Sequence, residues 1–180
     1  MENEAQKLEL KLVPICEEHH KYIYEHLNNE ELAETYPIEL PYTLHNARLY
    51  VKCQIDDRNS GEKYSFAIQR KREFVGVCSL YDIHEPKGEA KVYYWIGPIF
   101  WNQGIATRAL KKLMRYARIE LSIEKLKTGV LERNKASRKV LEKNGFYVES
   151  VLVNENKYHQ KFIGERFLEM RADFCKTDLT

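Results

Sequence analysis

Four consecutive stretches decide how this chain folds: KVYYWIGP (residues 91–98), WNQGIATRAL (101–110), LKTGVL (126–131) and NKASRKVLEKNGF (134–146). The first and third are rich in β-branched and aromatic residues, as strands are. The second carries Gly104 where apolar positions Ile105, Ala109, Leu113, Met114, Ala117 and Leu121 begin to recur at helical spacing. The fourth opens on Asn134, a good helix cap, and stops at Asn144 and Gly145. Strand, glycine turn, helix, strand and helix is the order of a parallel βαβ step with one more helix behind it. At Gln103, Gly104, Ile105, Ala106 and Thr107 the chain passes from loop into helix. Several backbone N–H groups there have no intrahelical acceptor, and the helix dipole presents its positive end. Gly104 and Ala106 keep the approach free of bulk and Thr107 adds a hydroxyl, so the turn is a candidate phosphate cradle.

Outward from this centre, Leu8 to Val13 alternates as a strand, and Ile15 to Leu27 carries Ile15, Tyr22, Ile23 and Leu27 at roughly helical spacing. Pro37 and Pro41 break the next stretch. Thr43 then caps a helix running to about Asp57, with Leu44, Ala47, Tyr50, Val51 and Ile55 inward and Asn59, Ser60 and Gly61 at its end. Tyr64 to Gln69 and Phe74 to Leu80, joined by the charged RKRE turn, read as an antiparallel hairpin, and HEPKGE as the loop after it. Phe146 to Val153 and Arg166 to Phe174 are the closing strands. The expected fold is mixed α/β, with a parallel step at the centre of a partly antiparallel sheet. No repeat, low-complexity segment or composition shift marks a linker, so residues 1–180 are expected to form one domain.

The composition narrows the function classes. Lys and Arg total 29 against 27 acidic residues, a net charge of +2 that lacks the broad positive field of a nucleic-acid binder. Arg108, Lys111, Lys112, Arg115 and Arg118 form one helix face, read mainly as a solvated surface, with Arg108, Lys139 or Lys143 near enough to meet a nucleotide. No apolar run reaches the roughly 18 residues of a membrane span, and the acidic amino end is unlike a signal peptide, so a cytoplasmic protein without membrane partners is expected. Cys16, Cys53, Cys78 and Cys175 are scattered without metal spacing, so neither a disulfide framework nor a metal site is expected. Neither a Walker loop nor a dinucleotide Gly-x-Gly-x-x-Gly is present.

Ser137 lies three residues after Asn134, so both side chains point back toward the first turn of their helix. Isolated, that is an ordinary cap. Together with the strand and glycine turn, the arrangement resembles the GNAT superfamily of N-acetyltransferases, in particular the ribosomal-protein N-terminal acetyltransferases. The resemblance covers nearly the whole chain, with the cofactor core at about residues 91–146. The family's loop pattern Gln/Arg-x-x-Gly-x-Gly/Ala falls on Trp101, Asn102, Gln103, Gly104, Ile105 and Ala106, with tryptophan in place of Gln or Arg.

The resemblance implies a seven-stranded sheet splayed at its centre with about four helices, acetyl-CoA as co-substrate and no metal. It implies that Tyr94, Trp95 and Ile96 run alongside the pantetheine arm, that an amide near Ile96 faces the thioester oxygen, and that Asn102 to Arg108 bind the cofactor, the amides of Gln103 to Thr107 holding its pyrophosphate. It places Asn134 at the pantetheine and Ser137 beside the sulfur, where a hydroxyl can meet the leaving thiolate. The family's glutamate base after the sixth strand falls on Asn156, with Glu155 one residue earlier; Glu89, His84 and His159 are competitors. The acceptor implied is a protein N-terminal α-amine, with a small-molecule amine or a non-catalytic CoA-binding module as alternatives. The 12 tyrosines leave room for a homodimer interface as readily as for a core.

Overall fold

The computed structural model describes residues 9–174. Its strands are β1 (Leu10–Pro14), β2 (Lys63–Arg70), β3 (Glu73–His84), β4 (Glu89–Ile96), β5 (Lys125–Leu131), β6 (Tyr147–Val153) and β7 (Arg166–Asp173). The α-helices are α1 (His20–Leu27), α2 (Glu30–Ala33), α3 (Leu44–Ser60), α4 (Ile105–Leu121) and α5 (Lys135–Lys143). The strands form one sheet in the order β1-β2-β3-β4-β5-β7-β6. Every neighbouring pair is antiparallel except β4 and β5.

The mixed α/β fold and its central parallel step are as expected from the sequence. One helix was not: α2 occupies part of the stretch read as broken by prolines. Asn29 caps it by accepting the Leu32 N–H at 3.0 Å, and Glu30 and Glu31 fill its first turn, so α2 is completed before Pro37. That makes five α-helices among the described residues where about four were expected. The first helix is also shorter than read, beginning at His20 after a 3₁₀ turn over Glu17–His19. The β2–β3 hairpin turns through Lys71 and Arg72, both at positive φ (49° and 75°), the backbone that matches the twist of two tightly joined strands. Leu8 and Cys175 lie outside the described residues.

Two apolar layers sandwich the sheet. On one face α4 buries Ile105, Ala109, Leu110 and Leu113 against Ile68, Leu80, Val92 and Leu126, as its apolar stripe dictates. On the other, α1 to α3 bury Ile23, Leu32, Ala47 and Val51 against Ala67, Val77 and Trp95. β4 therefore sends Val92, Tyr94 and Ile96 toward α4, and Trp95 toward α1 to α3.

The site is positioned by the central pair. β4 and β5 are in register only from Glu89, Ala90 and Lys91 to Lys125, Leu126 and Lys127, although both strands run on. The closed end is stapled by Glu89, which accepts from Lys125 Nζ at 2.6 Å and Lys127 Nζ at 2.9 Å. Beyond it the strands part, leaving a gap through the sheet with one helical layer on each side.

Candidate active site

The edge of β4 along the gap follows from the ladder with β3. Gly97 N–H donates to Val75 O at 2.9 Å, and Val77 lies opposite Trp95. Hydrogen-bonded pairs alternate in an antiparallel ladder, so the main chain of Tyr93 and Trp95 turns toward β3 while that of Val92, Tyr94 and Ile96 turns toward the gap. Tyr94 and Ile96 thus turn their main chain to the gap. Trp95 does not, because its amide and carbonyl serve the β3 ladder and its side chain lies on the α1–α3 face.

The glycine turn closes the α4 end of the gap. Asn102 and Gly104 adopt positive φ, 59° and 68°. Arg108 N–H donates to Gly104 O at 3.2 Å, so the amides of Ile105, Ala106 and Thr107 precede the first intrahelical bond. A side chain built at Gly104 would meet nothing within 4 Å, which marks the space before these amides as open. The Gln103 side chain is committed to the turn, accepting from Arg70 and donating to Ile99 O at 3.2 Å, so its contribution to an anion is its main chain. Arg108 folds back with Nε 3.4 Å from Gly104 O. Lys111, Lys112 and Arg115 are exposed, as a solvated face would be. An open amide cradle beside an unpaired strand edge fits a diphosphate with an extended amide-bearing arm, which is the chemistry of coenzyme A.

Two anchors of this half escaped the sequence. Trp101 Nε1 donates to Ile96 O at 2.7 Å, fastening the turn to β4 and occupying the carbonyl while the Ile96 amide still faces the gap. Trp101 was the departure from the family pattern, and that was its signal. Asn144 Nδ2 donates to Thr107 O at 3.2 Å and Val140 O at 2.9 Å, tying the start of α4 to the end of α5.

At α5, Asn134 Oδ1 accepts the Ser137 N–H at 3.0 Å, the expected cap. Ser137 Oγ then lies 2.9 Å from the Tyr94 hydroxyl, which also donates to Ser137 O at 3.2 Å. Burial pushes the Tyr94 phenol up to about 12, the Ser137 bond opposing it, so the pair is two neutral hydroxyls joined across from β4 to α5. On this face, Ile96, Tyr94, Asn134, Ser137 and the glycine turn are brought to the same side of the gap.

The opposite face is built from long-range contacts. Tyr93 OH lies 3.2 Å from Tyr50 OH and donates to Gln54 Oε1 at 3.3 Å, and the buried Ser79 and Ser65 continue the network. Across the gap, the side-chain position of Gly129 on β5 is filled by Tyr158, whose ring atoms lie 2.2–2.3 Å from where a Cβ would stand. Tyr158 is held by stacking on Phe167 with centroids 4.2 Å apart, and its hydroxyl donates to Glu169 at 3.4 Å. Asn154, fully buried, shapes the β6–β7 loop that presents it, accepting Tyr158 N–H at 2.9 Å and donating to His159 O at 3.2 Å. Lys161 Nζ joins that loop to the α2 segment through Ala33 O (2.6 Å) and Ile38 O (2.9 Å). Between them opens a cavity of about 770 Å³ lined by Ala33, Ile38, Glu39, Leu40, Tyr158 and His159. The glycine within LKTGVL was the one available signal, since a strand glycine marks a close approach by another group.

The base candidates separate here. Glu155 is exposed at the start of the β6–β7 loop, and Asn156 beside it is exposed as well. Glu89, bonded to two lysines, is held down at about 2 and stays ionised as the staple of the closed end. His84 lies opposite Glu89 at that same closed end. His159 accepts Lys161 N–H at 3.2 Å while lining the cavity.

Residues 9–147 match the model of the acetyltransferase (GNAT) domain. The spermidine N(1)-acetyltransferase of Escherichia coli K12 is 30% identical over 148 residues, covering 81% of this chain and 77% of that protein. The N-acetyltransferase p20 of Bacillus licheniformis is 27% identical over 101 residues, and the chain spans only 57% of that relative's length. RimL, a ribosomal L7/L12 alpha-N-protein acetyltransferase solved with coenzyme A, shares the fold with a TM-score of 0.81 at 21% identity, over 93% of this chain and 95% of that one. The chain belongs to the GNAT acetyltransferase family.

Proposed function

We propose that this chain is an acetyl-CoA-dependent N-acetyltransferase whose acceptor is the α-amine of a protein N-terminus. The observation that carries it is the parting of β4 from β5, with a phosphate-type turn on one face and an open cavity on the other. Acetyl-CoA, when bound, supplies an acetyl group activated as a thioester. The main-chain amides of Gln103 to Thr107 hold its diphosphate, with Asn102 shaping the turn and Arg108 beside it. The Ile96 amide donates to the thioester oxygen and stabilises the negative charge that develops there; one such donor is worth about 3 kcal/mol. The Asn134 amide meets the pantetheine arm. Ser137, backed by Tyr94, presents its hydroxyl to the departing sulfur. Glu155, from the loop above the cavity, takes the proton that the acceptor must shed.

A peptide acceptor is favoured because the cavity is open and has Glu39 as its one acid, with Lys161 and His159 also in its wall. A polyamine carries several cations and wants a closed acidic pocket. The likeness to a spermidine acetyltransferase supports that second reading. Acetyl transfer to an N-terminal peptide panel and to spermidine separates the two. We expect kcat/KM for the best peptide to exceed that for spermidine by about tenfold or more, the factor that roughly 1.4 kcal/mol of recognition supplies. The reverse order would reassign the acceptor, and tight CoA binding without transfer to any amine would leave a binding module.

A further inference from the structure

Gly97 to Trp101 carry the chain from the Ile96 amide to the glycine turn, and this short bridge is pinned at both ends. Gly97 N–H donates to Val75 O at 2.9 Å, Trp101 Nε1 donates to Ile96 O at 2.7 Å, and Phe100 N–H closes a 3₁₀ turn on Gly97 O at 2.9 Å. A side chain from α1, His26, touches both Gly97 and Phe100. A Cβ built on Gly97 would stand 2.6–3.0 Å from three atoms of the His26 ring, and that ring meets Phe100 edge-on with centroids 5.6 Å apart. Gly97 keeps an ordinary φ of −55°, so what its place demands is room for the imidazole and not a special backbone.

The imidazole is half-buried, stacks on Phe74 with centroids 5.9 Å and planes 15° apart, and leans on Trp95 at 6.4 Å. Burial lowers its pKa below the ordinary 6.5, outweighing the Phe74 main chain, Glu25 and Glu73, which favour the charged form. The ring is therefore neutral at physiological pH and takes a proton only in acid. Glu25 faces it from α1 and Glu73 from β3, while Tyr22 and His19 share the Phe74 ring. The bridge itself carries no ionisable side chain. Phe100 also packs under the guanidinium of Arg70, 5.1 Å from its centroid, and Arg70 is bonded to Glu73 at 3.0 Å and to Gln103 of the glycine turn.

We propose, resting on the acetyltransferase reading and deepening it, that His26 is a positioning residue, whose neutral ring seats Gly97 and Phe100 and so fixes the spacing between the Ile96 amide and the amides of the glycine turn. One coenzyme molecule is gripped at both places, so a bridge held at one length pre-organises the grip. A proton on the imidazole brings a charge into a half-buried stack and draws Glu73 away from Arg70. The bridge then loosens and CoA is held less well. Linkage works in both directions, so bound CoA favours the neutral ring and lowers its pKa further.

A proton titration of His26 tests this without any variant. Its ring signals, assigned through its own backbone among the six histidines, are followed from about pH 8 to about pH 5 with and without CoA. CoA should lower the His26 midpoint by about one unit, and CoA affinity by calorimetry should weaken by about tenfold on acidification, the same free energy seen from the other side. In the free protein the Ile96 and Gly104 amide signals should move with the His26 midpoint. His26→Phe, a flat ring with no proton to take, should lose that part of the pH dependence. A midpoint that CoA leaves in place overturns the proposal, and so does acid weakening that His26→Phe shares in full with wild type. Absence of transfer to any amine, with the midpoint still moved by CoA, would sink the acetyltransferase reading and leave His26 as the positioner of a CoA-binding turn.

Discussion

The two sides of the parted strands are built by different means. The α4–α5 side consists of main-chain groups placed by short motifs: a turn with Asn102 and Gly104 at positive φ, the opening of a helix, and an asparagine cap. The α1–α3 side consists of side chains delivered from far apart, with Tyr50 and Tyr93 touching across a separation of 43 residues and Tyr158 folded onto Gly129. Invariant chemistry suits the first construction, because an amide cradle asks little of residue identity beyond room. Selective chemistry suits the second, because recognition of an acceptor is a matter of which side chains meet.

The sharpest way to break this division is to injure one side and look for an effect on the other. Ser137→Ala removes the hydroxyl proposed to meet the departing sulfur and should lower kcat by about 10² or more, the lower range for positioned proton transfer, while CoA affinity measured by calorimetry stays unchanged. An unaltered kcat would reduce Ser137 to its cap. Gly129→Ala sets a Cβ within 2.2 Å of the Tyr158 ring and must displace it. We expect acceptor kcat/KM to fall by about 10², as misplacement of about 1 Å can cause, with the CoA dissociation constant within about twofold of wild type. Equal damage to both constants would show that the gap acts as one unit.

The division also explains what could be read in advance. Seven strands, the helix that follows Gly104 and the cap at Asn134 were legible, because periodicity, glycine and cap signals are local. The amide run from Gln103 to Thr107 was legible for the same reason. Trp95 was misplaced, since which way a strand residue's main chain points depends on the register with β3, and register is set by the hairpin partner. The meeting of Tyr50 with Tyr93 and the seating of Tyr158 on Gly129 passed unnoticed, because a tyrosine in isolation reads equally as core or surface. α2 was hidden by the prolines behind it, although Asn29 followed by Glu30 and Glu31 is a start signal.

Smaller effects sharpen the picture. Gly104→Ala keeps a left-handed backbone that a side chain disfavours by roughly 1–2 kcal/mol and points a methyl into the open cradle. CoA affinity should weaken by about tenfold, with transfer at saturating CoA nearly preserved. Strong loss of kcat with intact affinity would remove the turn from the phosphate role. The weakest effect belongs to the staple at the closed end. Glu89 is lowered from its ordinary 4.5 to about 2 by Lys125 and then Lys127, so its contribution is present above about 4.5 and disappears as pH falls through about 2. The melting temperature of Glu89→Gln should lie slightly below wild type at neutral pH and converge with it near pH 2, a small difference because the pair is partly solvated. A gap that widens on acidification would contradict the staple.

The central claim is that one face of the parted strands takes the coenzyme by its main chain. Backbone amide spectra recorded during a CoA titration test it most directly. The largest shifts should fall on Gly104 to Thr107 and on Ile96, with the β6–β7 loop around Tyr158 little changed. Shifts centred on Tyr158 and His159, with the glycine turn silent, would contradict it.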